Sequence, residues 1–121
     1  MAINSFKEII GWQKAHELVM LVYKTTDTFP KHELFCLTNQ IRRAAISVPS
    51  NIAEGYKRRS NKDSVHFYNI AEGSLEELKY QLLLANDLGY IPAEQYKTLD
   101  DLSEETGRLL CGWIKSQKSS A

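Results

Sequence analysis

Apolar residues recur at alternating steps of three and four along four separate stretches of this 121-residue chain. No useful length of it alternates at every second position. A period near 3.6 belongs to a helix with one buried stripe, and a period of two to a strand. The spacing therefore predicts an all-α chain with helices over about 5–28, 31–59, 62–88 and 93–116. The first seam reads Trp12, Ala15, Val19, Val22 and Thr26. The second reads Leu37, Ile41, Ala44 or Ala45, Val48, Ile52 and Tyr56. The third reads Tyr68, Ala71, Leu75, Leu78, Leu82 and Ala85, and the fourth Leu99, Leu102, Thr106, Leu109 and Trp113. The stops agree with the periods. Phe29-Pro30 ends the first helix, because a residue before proline resists the α conformation. Ser60 or Asn61 can cap the third, with Asp63 in its first turn. Gly89 is placed to end it, and Pro92 to open the fourth. Ser116 to Ala121 reads as a frayed tail.

Short connections between long helices make sequential neighbours antiparallel. The expected architecture is an up-down-up-down four-helix bundle forming a single domain over 1–121, each seam giving one stripe to a shared core. Hydrophobic residues are 43% of the chain, enough for such a core. The longest apolar run, Leu82 to Ala85, is far too short to span a bilayer. Met1 to Trp12 lacks the apolar stretch of a signal peptide. Cys36 and Cys111 form no Cys-x-x-Cys pair and have no His at ligand spacing. They read as two buried thiols in a reduced cytoplasm, with no membrane association, metal or cofactor expected.

Three features break the plain bundle pattern. Pro49 lies inside the second helix, where proline removes a backbone hydrogen bond at a cost of roughly 3 kcal/mol. Val48, Ile52 and Tyr56 stay in phase across it, which favours one kinked helix over two. The second feature is charge. The chain is neutral overall, yet Arg42, Arg43, Lys57, Arg58, Arg59 and Lys62 face only Glu54 between positions 42 and 62. Positions 63–107 then hold ten acidic residues against Lys79 and Lys97. Arg43, Ser47, Ser50, Glu54 and Lys57 share one helix face opposite the seam, with Asn51 and Arg58 at its edge. Such a face is either simply solvated or attracts a phosphate backbone without reading sequence. The third feature is an outer stripe on the third helix, His66, Ile70, Gly73, Glu77, Tyr80 and Leu84. An interior glycine is disfavoured by about 1 kcal/mol relative to Ala, and close approach by another backbone would explain it. Ile10 and Leu21 face outward on the first helix in the same way. Self-association through Ile10, Leu21, Ile70, Gly73, Tyr80 and Leu84 is the expectation. The outer face of the fourth helix, Lys97, Asp101, Glu104, Arg108 and Lys115, reads as solvated.

Catalytic patterns are sparse. His16, His32 and His66 are dispersed, and there is no Gly-rich phosphate loop. Glu72, Glu76 and Glu77 lack the Glu-x-x-His pair of a metal bundle. Arg59 and His66 have a spacing that resembles the motif of HEPN-type ribonucleases, in which His would move a proton and Arg steady phosphate charge. Chance beside a basic turn is the simpler account, and no catalytic residue is assigned.

Longer motifs carry a more specific resemblance. The run Gln40-Ile41-Arg42-Arg43-Ala44-Ala45-Ile46-Ser47-Val48-Pro49-Ser50-Asn51-Ile52-Ala53-Glu54-Gly55 closely resembles the signature of the four-helix-bundle proteins encoded in 23S rRNA intervening sequences. Ile70-Ala71-Glu72-Gly73-Ser74-Leu75-Glu76-Glu77-Leu78 is similar to that family's second signature. Trp12, Ala15, Tyr23, Phe29-Pro30 and Leu88-Gly89-Tyr90 fit its remaining elements. Phe35-Cys36-Leu37 departs from it, since family members usually carry a Gly before the Leu. The resemblance implies an antiparallel bundle that assembles into a ring-like homopentamer. It also implies kinship with accessory proteins of diversity-generating retroelements, which bind nucleic acid and a reverse transcriptase. The expected function is thus a cytoplasmic, non-catalytic adaptor that binds RNA or DNA through its basic residues. A scaffold that binds only protein is the alternative.

Overall fold

Four long helices fill the chain: α1 (Ile10–Thr26), α2 (Leu37–Tyr56), α3 (Asn61–Asp87) and α4 (Ala93–Ser119). The computed structural model describes residues 3–119, so Met1, Ala2 and the last two residues of the expected tail lie outside the described residues. Each helix packs on its sequence neighbours, and α1 closes the bundle against α4. This is the up-down-up-down arrangement that short connections favour.

The helix ends differ from the periodic reading where side chains compete for backbone groups. Ser5 caps a short 3-10 turn, Phe6–Glu8, by accepting from the Lys7 N–H, so α1 starts only at Ile10. Lys31–Glu33 forms a second 3-10 turn after Pro30. The Glu33 carboxylate then accepts from the Leu37 N–H at 3.4 Å, and α2 starts at Leu37 instead of continuing from residue 31. The tail expected to fray from Ser116 is helical through Ser119. The start of α3 is capped by Ser60, whose hydroxyl accepts from the Asp63 N–H at 3.1 Å. Its end is a left-handed Gly89 at φ 81°. There the Tyr90 N–H reaches the Ala85 carbonyl and the Gly89 N–H that of Asn86, which satisfies two carbonyls of the last turn. α2 runs through Pro49 as one helix.

The seams of α2 and α3 are buried as the spacing predicts, with both Ala44 and Ala45 inside and Tyr56 half-buried. Those of α1 and α4 are turned by about one residue. Gly11, Ala15, Leu18, Val22, Thr25 and Thr26 are buried on α1, so Ala15, Val22 and Thr26 of the expected seam lie inside while Trp12 and Val19 flank them. On α4 the buried set is Leu99, Ser103, Thr106, Leu110 and Ile114, while Leu102, Leu109 and Trp113 flank it. Small residues cause the turn. A Cβ on Gly11 would lie 3.5 Å from the Leu110 backbone nitrogen, so the two helices cross closely there. Ser103 is fully buried because its hydroxyl donates to the Leu99 carbonyl at 2.7 Å. A reading that counts large apolar residues passes over both. The cysteine expectation also needs correction. Cys36 is exposed in the loop before α2 and Cys111 half-buried on α4, both as free thiols. No helix among the described residues is long and apolar enough to cross a membrane.

Candidate nucleic-acid interface

The α2–α3 turn gathers cations because α2 stops at Tyr56 and Ser60 restarts the chain as a helix four residues later. Two contacts fix this end of the bundle. The Tyr56 hydroxyl donates to the Ile3 carbonyl at 2.7 Å, and Asn61 Nδ2 donates to the Gln117 carbonyl at 2.9 Å. Lys57, Arg59 and Lys62 are exposed there and form no ion pair with any described residue. Arg58 is committed differently. Its guanidinium pairs with Glu54 one turn back and lies 4.3 Å over the Phe67 ring.

The two arginines nearer the start of α2 part company. Arg42 is half-buried at the α1–α2 junction, where its Nε donates to Thr26 Oγ1 at 2.9 Å and its guanidinium sits 4.6 Å over the Tyr23 ring. It is a strut between helices, which corrects its grouping with the free cations. Arg43 is exposed and unpaired among the described residues, on the side of α3. Ser47 is half-buried against α3, not solvated opposite the seam. Its hydroxyl meets that of Ser74 at 2.8 Å, and Asn51 Nδ2 donates to its carbonyl at 2.8 Å. His66 is exposed, edge-on to Phe67 with ring centroids 5.3 Å apart, and no hydrogen bond joins it to Arg59. Among the described residues no three His, Cys, Asp or Glu side chains gather as metal ligands.

Ile70, Gly73 and Tyr80 form an open stripe along α3; Tyr80 is 62% exposed, and a Cβ on Gly73 would meet nothing within 4 Å. Ile10 on α1 is 59% exposed. Leu21 and Leu84 correct the expectation: both are half-buried and pack on the core, Leu21 because it flanks the inward-turned Leu18–Val22 row. Gly73 borders a groove between α3 and α4 whose floor includes Gly107 and Gly112. Lys79 bridges that groove to Glu104 at 2.8 Å. The hydrogen bond between them holds the Glu104 carboxyl below, and the Lys79 ammonium above, its ordinary pKa.

The periodic reading missed Gln81 and placed Glu77 only on an outer face. Both line a recess beside Arg43. The available signal was Gln81 itself, a polar residue three after Leu78 and adjacent to Leu82, close to the phase of the buried seam.

The architecture defines a class of small all-α proteins built as antiparallel four-helix bundles. Within that class the assignment is specific. The sequence model of the 23S rRNA-intervening sequence protein family matches residues 7–112, and the chain belongs to that family. A solved structure from Bacteroides thetaiotaomicron, described as a protein with unknown function from the S23 ribosomal protein family, is similar at 29% identity and a TM-score of 0.79. The match covers 88% of this chain and 96% of that one. No curated protein is matched.

Proposed function

We propose that this chain is a non-catalytic, homo-oligomeric adaptor of the cytoplasm that binds RNA through the α2–α3 end of the bundle. The observation that carries the reading is the trio Lys57, Arg59 and Lys62. These are exposed cations without ion pairs among the described residues, at a turn flanked by hydrogen bonds to Ile3 and Gln117. Free ammonium and guanidinium groups attract phosphate and release its counterions, so the affinity that this turn contributes is salt-dependent and indifferent to sequence. Arg58 adds its remaining donors, while Arg42 contributes to folding and not to binding.

Self-association supports the adaptor role. Ile10 on α1 and the Ile70–Gly73–Tyr80 stripe on α3 lie on diagonally placed helices and so form two patches. Two different patches on one protomer suit head-to-tail contacts, which give a ring where the rotation between protomers closes.

Binding of a structured RNA, followed by fluorescence anisotropy at low salt, tests the reading. Reversal of Lys57, Arg59 and Lys62 to Glu is expected to weaken binding at least tenfold and flatten its salt dependence. Thermal stability should barely move, since exposed substitutions usually change it by less than about 0.5 kcal/mol. Absence of binding, or binding that survives the reversal, overturns the proposal. RNA cleavage that His66→Ala abolishes would overturn its non-catalytic part. For assembly, solution mass is measured before and after Gly73→Leu. The variant is expected to dissociate, and a monomeric parent protein refutes the two-patch argument.

A further inference from the structure

A polar recess of about 370 Å³ opens between α2 and α3, within the ordinary size range of small-ligand sites. Arg43 and Gln40 stand on its α2 wall and Glu77 on its α3 wall, with the Ser47–Ser74 hydroxyl pair between them. Two features set it apart from a solvated groove. Arg43 and Glu77 carry opposite charges on facing helices, yet neither forms an ion pair with the other or with any described residue. Gln81 lines the same recess, is only 7% exposed, and its Oε1 has no hydrogen-bond partner. Buried polar atoms are normally satisfied, so an unpartnered one on a residue that lines the recess marks an incomplete polar network in its wall. The Thr25 and Thr38 hydroxyls are also unpartnered but do not line this recess.

We propose that this recess accepts one unstacked guanine base of a bound RNA strand. The donor and acceptor pattern selects the base. The recess offers two acceptor oxygens on α3, those of the Glu77 carboxylate, and a cationic donor on α2, Arg43. Guanine presents two adjacent donors, N1–H and the 2-amino group, beside acceptors at O6 and N7, where Arg is its commonest partner. Adenine would turn its amino group toward Arg43. Uracil has a single N–H between two carbonyls, and cytosine has only its amino group as donor. Single-stranded RNA is commonly recognised through bases splayed from the stack in this way. The strand reaches the recess from the cationic turn. Lys57, just past the end of α2, is fourteen residues after Arg43, or about 21 Å along the helix axis, and Ser50 and Glu54 are exposed between them.

This inference rests on the RNA-binding reading, and one experiment separates their failures. Anisotropy at low salt would compare rU8 with the same oligomer carrying two central guanosines, adenosines or inosines. The guanosine oligomer is expected to bind about tenfold tighter than the adenosine one, the discrimination of one good base contact. The inosine oligomer, lacking the 2-amino group, should fall between them. Glu77→Ala removes an exposed carboxylate and should reduce the guanosine-to-adenosine ratio to less than about twofold while rU8 still binds. Equal affinity for all four oligomers, or a guanosine preference that survives Glu77→Ala, overturns the base site and leaves the RNA-binding proposal standing. Failure of every oligomer and of structured RNA to bind overturns both.

Discussion

At Gly55 α2 packs tightly against α3, and replacing it with Ala sets two effects of known sign against each other. In an isolated helix the change is favourable by about 1 kcal/mol. Here an added Cβ would lie 2.5 Å from Tyr68 Cε1, 2.9 Å from Tyr68 Cδ1 and 2.9 Å from the Ser64 carbonyl oxygen. Ordinary carbon contacts begin at about 3.5 Å, so the ring must retreat by roughly 1 Å. It has nowhere to go. Tyr68 is 1% exposed and packs edge-on to Trp113, and the Ser64 oxygen is backbone. The helices themselves must part. Overpacking of this kind costs about 1–3 kcal/mol, and a clash with both backbone and a locked ring belongs at or above the top of that range. A net loss of about 2 kcal/mol is expected, a fall in Tm of roughly 8 °C for a chain of this length. Gly112→Ala is the matched control, because a Cβ there meets nothing within 4 Å; it should raise stability by about 1 kcal/mol. Both are measured by thermal and urea denaturation at one protein concentration, since assembly makes Tm concentration-dependent. A Gly55→Ala protein as stable as Gly112→Ala would refute the packing argument.

Ser60→Ala removes the hydroxyl that accepts from the Asp63 N–H and should lower stability by about 1 kcal/mol, read from the urea midpoint with an unchanged slope. The Lys79–Glu104 bridge predicts a small acid sensitivity. Glu104 has a lowered folded-state pKa, so its contribution is present above the ordinary carboxylate range and is lost as pH falls through the folded value. Stability measured from pH 6 to pH 2 should therefore fall slightly less for Glu104→Gln than for the parent, and an identical acid limb would refute the linkage.

The α2 and α3 seams were legible because every large apolar residue in phase is buried, apart from Tyr56 at the end of α2, which is half-buried. On α1 and α4 the buried rows include Gly11, where the two helices approach closely, and Ser103, residues that carry no apolar signal. Close approach is a property of a pair of helices, and periodicity examines one helix at a time. The turn at Gly89 and the cap at Ser60 were readable for the opposite reason: each is a local backbone requirement that one residue type meets.

Charge is legible in sequence as a total and illegible as a resource. Six cations between Arg42 and Lys62 look equivalent in the one-letter string. Their neighbours across the fold divide them. Arg42 is occupied by Thr26 and Tyr23, sixteen and nineteen residues away, and Arg58 by Glu54 and Phe67. Lys57, Arg59 and Lys62 keep their full donor capacity, and Arg43 keeps its own beside a carboxylate that it does not reach. A guanidinium already stacked on a ring and hydrogen-bonded must break those contacts to hold a phosphate, whereas an unpaired one gives up only water. Binding strength at this surface should therefore follow the number of uncommitted cations and not the number of basic residues. Arg42→Gln should chiefly lower stability, and Arg59→Gln should chiefly lower RNA affinity. Titration of both variants with the same RNA, beside their denaturation curves, decides the point: equal affinity losses in the two would refute the division.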